Sequence, residues 1–265
     1  MTRCRSGFGS CNGRGYRAGS HRLPLLSVCG GYSRENSHRG RRPKRLSPAG
    51  PLRCLPQQND VPVLIGSNAE EGRSVVDVSK VKAATFAADL AAAFGPLPPA
   101  LIAAYPYESE AEARQARLDL ERDLRFGWDM WAWARLQATT GRSSVYYYSF
   151  QQRPPFPKES VYADWGASHY AELWYVFDHL DQYSWAWTSA DRTLAAEIST
   201  YWANFAKSGN PNGAGVPPWP AFESSTSRVQ YLRNPITTDG VFGIEKLKVF
   251  DAIYSGARGK PFGSP

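Results

Sequence analysis

The sequence predicts an α/β fold with a mostly parallel sheet flanked by helices. Two observations carry this. Two runs of strand-forming residues, Val61-Pro62-Val63-Leu64-Ile65-Gly66 and Val145-Tyr146-Tyr147-Tyr148-Ser149-Phe150, are separated by helical signals long enough to cross over between parallel neighbours. The chain also has 265 residues with 42% hydrophobic content, enough to bury a sizeable core.

Residues 1–58 are expected to be a disordered, basic, cysteine-containing segment outside the folded domain, which is placed at residues 59–265. Of 31 basic and 24 acidic residues, twelve and one fall in residues 1–56; the remaining 19 and 23 leave the rest of the chain at −4. The net charge of +7 therefore belongs to the first segment alone, and a nucleic-acid partner is disfavoured for the rest. With little apolar content, that segment cannot offset its ordering entropy. Arg42-Pro43-Lys44-Arg45 matches a nucleic-acid arm or localisation signal, but wrong-frame translation of GC-rich DNA gives the same composition and is the favoured reading. All four cysteines (Cys4, Cys11, Cys29, Cys54) lie here, and their spacing fits neither a paired zinc pattern nor a compact disulfide framework. No apolar run reaches the roughly eighteen residues of a membrane span, and Leu23 to Val28 is too short for a secretion signal.

Order is expected to start near Val61, with a short buried strand that Gly66 stops. Ser79 to Phe94 is alanine-rich and reads as a helix ending before Gly95-Pro96. Glu110 to Ala138 places Leu120, Leu124, Trp128, Trp131, Ala134 and Ala138 on one helical stripe. Val145 to Phe150 is the second strand, rich in aromatics. Leu173 to Phe177 reads as helical. Asp191 to Lys207 repeats Leu194, Ile198, Tyr201 and Phe205 at helical spacing, with Ser189 as its cap and Gly209 as its close.

A chemistry-bearing loop follows each strand. Gly66-Ser67-Asn68-Ala69-Glu70-Glu71-Gly72 puts two carboxylates past a strand's C-terminal end, where the loops of an open α/β sheet line the crevice. Taken alone, such a pair is most often a solvated turn. Trp165-Gly166-Ala167-Ser168-His169-Tyr170-Ala171-Glu172-Leu173 offers a histidine, the usual general base near neutral pH. A lone loop histidine is more often structural, and His179 receives only that reading. Acid after one strand and histidine after the next is nonetheless the chain order of the Ser, Asp or Glu, His triad in α/β-hydrolases.

These stretches resemble the type-B carboxylesterases, the family of bacterial nitrobenzyl esterases, liver carboxylesterases and cholinesterases. Gly66 to Gly72 is similar to the family's acid loop, and Gly166 to Leu173 with Val176-Phe177 to its histidine loop. Tyr201 to Gly213 resembles its late helix and turn, and Trp219-Pro220-Ala221-Phe222 its Trp-Pro segment; the four fall in family order over about 61 to 232, with residues 1–58 expected outside the family match. The resemblance implies the C-terminal part of an α/β-hydrolase fold that uses neither metal nor cofactor. It implies that Glu71 is the triad acid and His169 the general base, with Glu70 a surface or supporting group and Glu172 a support for the histidine loop. Trp165, Trp174, Phe177 and the aromatics of 128–133 either line an acyl or alcohol pocket or belong to the core.

The sequence departs from the family upstream. No Gly-x-Ser-x-Gly pentapeptide exists: Gly31-Tyr32-Ser33-Arg34-Glu35 lacks the final glycine, and Gly30-Gly31 lacks the setting of an oxyanion loop. The expectation is an incomplete, truncated or frameshifted carboxylic-ester hydrolase, inactive alone, whose intact relative takes an ester substrate and whose missing part a complementary N-terminal fragment would supply. Two other readings are a non-catalytic binding module on the same fold and a basic-arm nucleic-acid binder resting on residues 1–56. The triad reading predicts a Glu71 oxygen within about 2.6–3.2 Å of the His169 ring, with the opposite nitrogen facing an open cavity.

Overall fold

The computed structural model describes residues 59–259; the expectations for residues 1–58 lie outside the described residues. In chain order the elements are β1 (Val63–Asn68), α1 (Phe86–Phe94), α2 (Pro99–Ala103), α3 (Glu110–Arg122), α4 (Trp128–Thr140), β2 (Val145–Phe150), α5 (Leu173–Val176), α6 (Ser189–Ser208), β3 (Val229–Leu232), β4 (Thr237–Asp239) and α7 (Ile244–Arg258).

The two apolar runs pair as parallel neighbours, from Val63 against Val145 to Asn68 against Phe150. β3 adds in parallel to β2 and β4 closes that side in the antiparallel sense, giving the order β1-β2-β3-β4. Gly66 does not stop β1, which runs on through Ser67 and Asn68. Its role is close approach: a Cβ there would lie 2.3 Å from the Tyr148 carbonyl oxygen and 2.5 Å from the Tyr148 ring.

Side chains of β2 alternate between two cores, as strand pleating requires. Tyr146 and Phe150 join Tyr175, Leu194, Ile198, Tyr201 and Trp219 beneath α5 and α6. Val145 and Tyr147 join Ile65, Trp131, Ala134, Phe222 and Leu247 beneath α4 and α7. A third cluster, with Phe86, Leu90, Leu101, Leu120 and Phe250, packs α1, α2 and α3 against α7.

Several boundaries differ from expectation for local reasons. The alanine-rich segment becomes regular only at Phe86, after a 3-10 turn at Ala83–Thr85, and ends at Gly95 with φ +80°. The long stripe of 110–138 is divided by a π turn at Asp123–Gly127. Leu120 consequently packs in the helical cluster while Trp131 and Ala134 face the sheet. Thr188, not Ser189, caps α6: its Oγ1 accepts the Asp191 N–H at 3.2 Å, and Asp191 Oδ2 accepts the Thr188 N–H at 3.0 Å. Gly209, at φ +71°, closes that helix in the left-handed conformation. Among the described residues, no helix is long and apolar enough to cross a membrane.

Candidate active site

β1 and β2 end at the same edge of the sheet, and the Ala69 N–H donates to the Phe150 carbonyl at 2.9 Å just past them. The acid loop then tightens into a 3-10 turn, Glu71–Ser74, pressed against α3. Glycine is required at position 72, because a Cβ would lie 2.4 Å from the Leu118 carbonyl oxygen. The histidine loop reaches the same place from the C-terminal end of β2. The Glu70 N–H donates to the Ala167 carbonyl at 2.9 Å, and the Ala167 N–H donates to Glu70 Oε2 at 2.9 Å.

This brings together two residues 98 positions apart: His169 Nδ1 lies 2.7 Å from Glu71 Oε2. The other carboxylate oxygen, Oε1, accepts the Asn68 N–H at 2.8 Å, so both acid oxygens have fixed partners. The acid is buried and the histidine side chain is 32% exposed. Among the described residues, Nε2 has no hydrogen-bond partner. With the carboxylate ionised, Nδ1 carries the proton and donates it to Oε2, which leaves the Nε2 lone pair free to accept one. Burial pushes the Glu71 carboxyl above its ordinary value; the Asn68 N–H and His169 oppose this, and the nearby Glu172 adds to it.

Glu70 fastens the two loops. Its carboxylate takes Arg153 Nε at 2.8 Å and Nη2 at 2.9 Å, Arg73 Nε at 2.7 Å, and the Ala167 N–H. Burial raises the Glu70 carboxyl, but Arg153, the Ala167 N–H and Arg73 outweigh it and hold it below its ordinary value. Gly166, at φ +56°, lies directly beneath; a Cβ there would come within 2.1 Å of Glu70 Oε2. Glu172 meets the acid loop through Asn68, whose Nδ2 donates both to Glu172 Oε2 and, at 2.7 Å, to the Ser168 carbonyl. Asn68, Arg153 and Gly166 thus belong to the site, although their roles were not read from the sequence. Asn68 carried one usable signal, as an amide side chain at the C-terminal end of a strand.

The aromatics divide. Trp131 is buried against the sheet, with Trp128 packed beside it, whereas Trp133 is exposed. Trp174 packs on Phe156 and Trp185 with ring centroids 5.6 and 5.3 Å apart. Trp165 packs on Tyr162 at 4.9 Å, and exposed Phe177 stacks on His179 at 5.6 Å. A surface cleft of about 420 Å³ lies elsewhere, lined by Asp119, Arg122, Phe242 and Lys246, and His169 is outside it. Among the described residues, no group of three or more His, Cys, Asp or Glu side chains is placed to hold a metal ion.

The sequence profile described as "Carboxylesterase family" matches residues 40–241. Carboxylesterase 5A of Canis lupus familiaris is 35% identical over 135 residues, covering 49% of this chain and 23% of its own length. Cocaine esterase of Homo sapiens is 36% identical over 95 residues, covering 36% of this chain and 17% of its own. Among solved structures, a PNB esterase at 26% identity superposes with a TM-score of 0.58 over 76% of this chain and 41% of that one. A thermophilic PNB esterase gives 25% identity and a TM-score of 0.59 with the same coverage. The chain therefore spans under a quarter of the length of these curated relatives and about two fifths of the solved ones.

Proposed function

The chain belongs to the carboxylesterase family and has the α/β-hydrolase fold of its esterase neighbours, and we propose that it is the acid-and-base portion of a serine-dependent ester hydrolase. The observation that carries this reading is the 2.7 Å contact between Glu71 Oε2 and His169 Nδ1, with the second acid oxygen already held by the Asn68 N–H. In that role Glu71 keeps the imidazole in the Nδ1–H tautomer. Nε2 takes the proton of a serine hydroxyl as its oxygen attacks the ester carbonyl carbon, and the imidazolium returns that proton to the departing alkoxide. Water then repeats the two steps on the acyl-enzyme and releases the carboxylic acid and the serine.

The serine itself is the missing partner. The 265 residues hold no Gly-x-Ser-x-Gly, so the nucleophile and its oxyanion donors would come from polypeptide outside them, in the form of a complementary N-terminal portion. Among the described residues β1 has no strand on its outer edge, which favours this, because an added parallel strand has backbone groups there to pair with.

A fragment-complementation assay tests the proposal. The chain alone is expected to leave a short p-nitrophenyl ester at the buffer rate. Mixed with the N-terminal portion of a PNB esterase, cut upstream of the segment matching Val61, it should gain turnover that His169→Ala and Glu71→Gln each abolish. Turnover by the chain alone that vanished with His169→Ala would overturn the missing-nucleophile reading. Restored turnover indifferent to both substitutions would overturn the roles given to the pair.

A further inference from the structure

We propose that Phe126 and Tyr170 are positioning residues that clamp the His169 imidazole, so that Nδ1 stays on Glu71 while Nε2 stays open; this rests on His169 being the general base. Two irregular pieces of backbone converge on one ring. The first is the π turn at Asp123–Gly127, a geometry that is rare, occurs mostly as single turns inside α-helices and is frequent at functional sites. It carries Phe126, whose ring centroid lies 4.8 Å from that of His169 at an interplanar angle of 33°. The turn is pinned beneath: buried Asp123 accepts Arg122 Nε at 2.7 Å, Arg122 Nη2 at 3.0 Å and the Tyr105 hydroxyl at 2.8 Å. Arg122 Nη1 also reaches the Ala69 carbonyl at 3.3 Å, in the acid loop. The support for Phe126 and the loop that holds Glu71 are therefore one connected network.

The second irregularity is Tyr170, which has φ +71°, in a region that bulky L-residues seldom occupy. Core burial does not account for it, because Tyr170 is 62% exposed. What its ring meets is the neighbouring imidazole, at 4.1 Å between centroids and 52° between planes. A hydrogen bond at Nδ1 together with the covalent link at Cγ leaves the ring free to rock about the axis through those two atoms. Two aromatic neighbours restrict that rocking, and sterically costly backbone persists where it serves such pre-organisation.

Long-range proton–nitrogen NMR of the full chain reads this directly, with His169 identified by its loss in His169→Gln. The wild type should show one Nδ1–H tautomer with a slowly exchanging imidazole proton that Glu71→Gln removes. Phe126→Leu and Tyr170→Gly should each speed that proton's exchange with water at least tenfold and mix the two tautomers. Tyr170→Phe, which keeps the ring, should restore the slow exchange, and far-UV circular dichroism should stay native throughout. A wild type without the Glu71-dependent signal would sink the general-base reading. A wild type that has it, with exchange unchanged in Tyr170→Gly and Phe126→Leu, would sink the clamp alone. Should Phe126→Leu lose its fold, the exposed position decides through the Tyr170→Gly and Tyr170→Phe pair.

Discussion

Glu71 is only 3% exposed, and burial raises its carboxyl above the ordinary 4.5. Between that value and its raised folded-state value, the folded chain binds more protons than the unfolded one, so stability falls as pH climbs through this window and stays lower above it. Glu71→Gln keeps an oxygen for the Asn68 N–H and removes the ionisation. Urea unfolding should therefore find the variant more stable than wild type at pH 7 to 8, with the gap closing below about pH 4.5. A variant less stable at neutral pH would mean that the bond from His169 outweighs the desolvation. Gly166 makes the opposite case, as a residue that stability and chemistry both need. Gly166→Ala adds a left-handed alanine at about 1–2 kcal/mol. It also drives a Cβ into Glu70, displacing charged hydrogen bonds of about 1.5–3 kcal/mol. A loss of roughly 2–5 kcal/mol is expected by denaturant titration, and a loss below about 1 kcal/mol would show that the loops do not depend on this clasp. The contact between Glu71 and His169 was legible in the sequence because each residue sits in a short motif, with Gly72 and Gly166 among its neighbours. Arg153 was not, since its partner Glu70 lies 83 positions away and nothing local to either residue encodes the meeting.

Helix α6 shows how narrowly a local signal can miss. Thr188 and Ser189 are both good caps, but only Thr188 has an acid three positions on to complete a reciprocal box. Thr188→Ala should lower stability by about 1 kcal/mol, whereas Ser189→Ala should change it by less than about 0.5 kcal/mol. Equal effects in thermal melts would restore Ser189 as the cap. The π turn left no trace in the pattern, because the apolar spacing from Leu120 to Ala134 satisfies an unbroken helix equally well. β3 and β4, of four and three residues, are shorter than the windows over which alternation can be read, and went unanticipated for that reason. β2 stood out because five of its six residues are apolar or aromatic, and β1 because Val63, Leu64 and Ile65 open it as an unbroken apolar run.

At the scale of the molecule, the described residues form a sheet with one finished side and one open side. β4 turns antiparallel and closes the finished side, while among the described residues β1 has no strand partner on its outer edge. The Val63 and Ala69 N–H groups donate to the carbonyls of Ser144 and Phe150, so alternate amides point toward β2 and the ones between point away. Hydrogen exchange of the chain alone should accordingly find Ile65 and Ser67 slow and Leu64 and Gly66 fast, with the fast pair slowing when a complementary portion docks. Equal protection at all four positions before docking would mean that the edge is already occupied, for instance by a second copy.

One outward amide is already engaged. The N–H of Asn68, at the end of β1, donates to Glu71 Oε1 at 2.8 Å. A strand laid along β1 could take up the free amides at Leu64 and Gly66, but it would find the next one withdrawn and would have to leave the sheet there. Its departure point would be level with the carboxylate that holds His169, so the first loop residues after it would be delivered beside Nε2. The hydrogen bond that settles one oxygen of the acid thus works as an end stop, fixing how far a visiting strand can run and where it must turn.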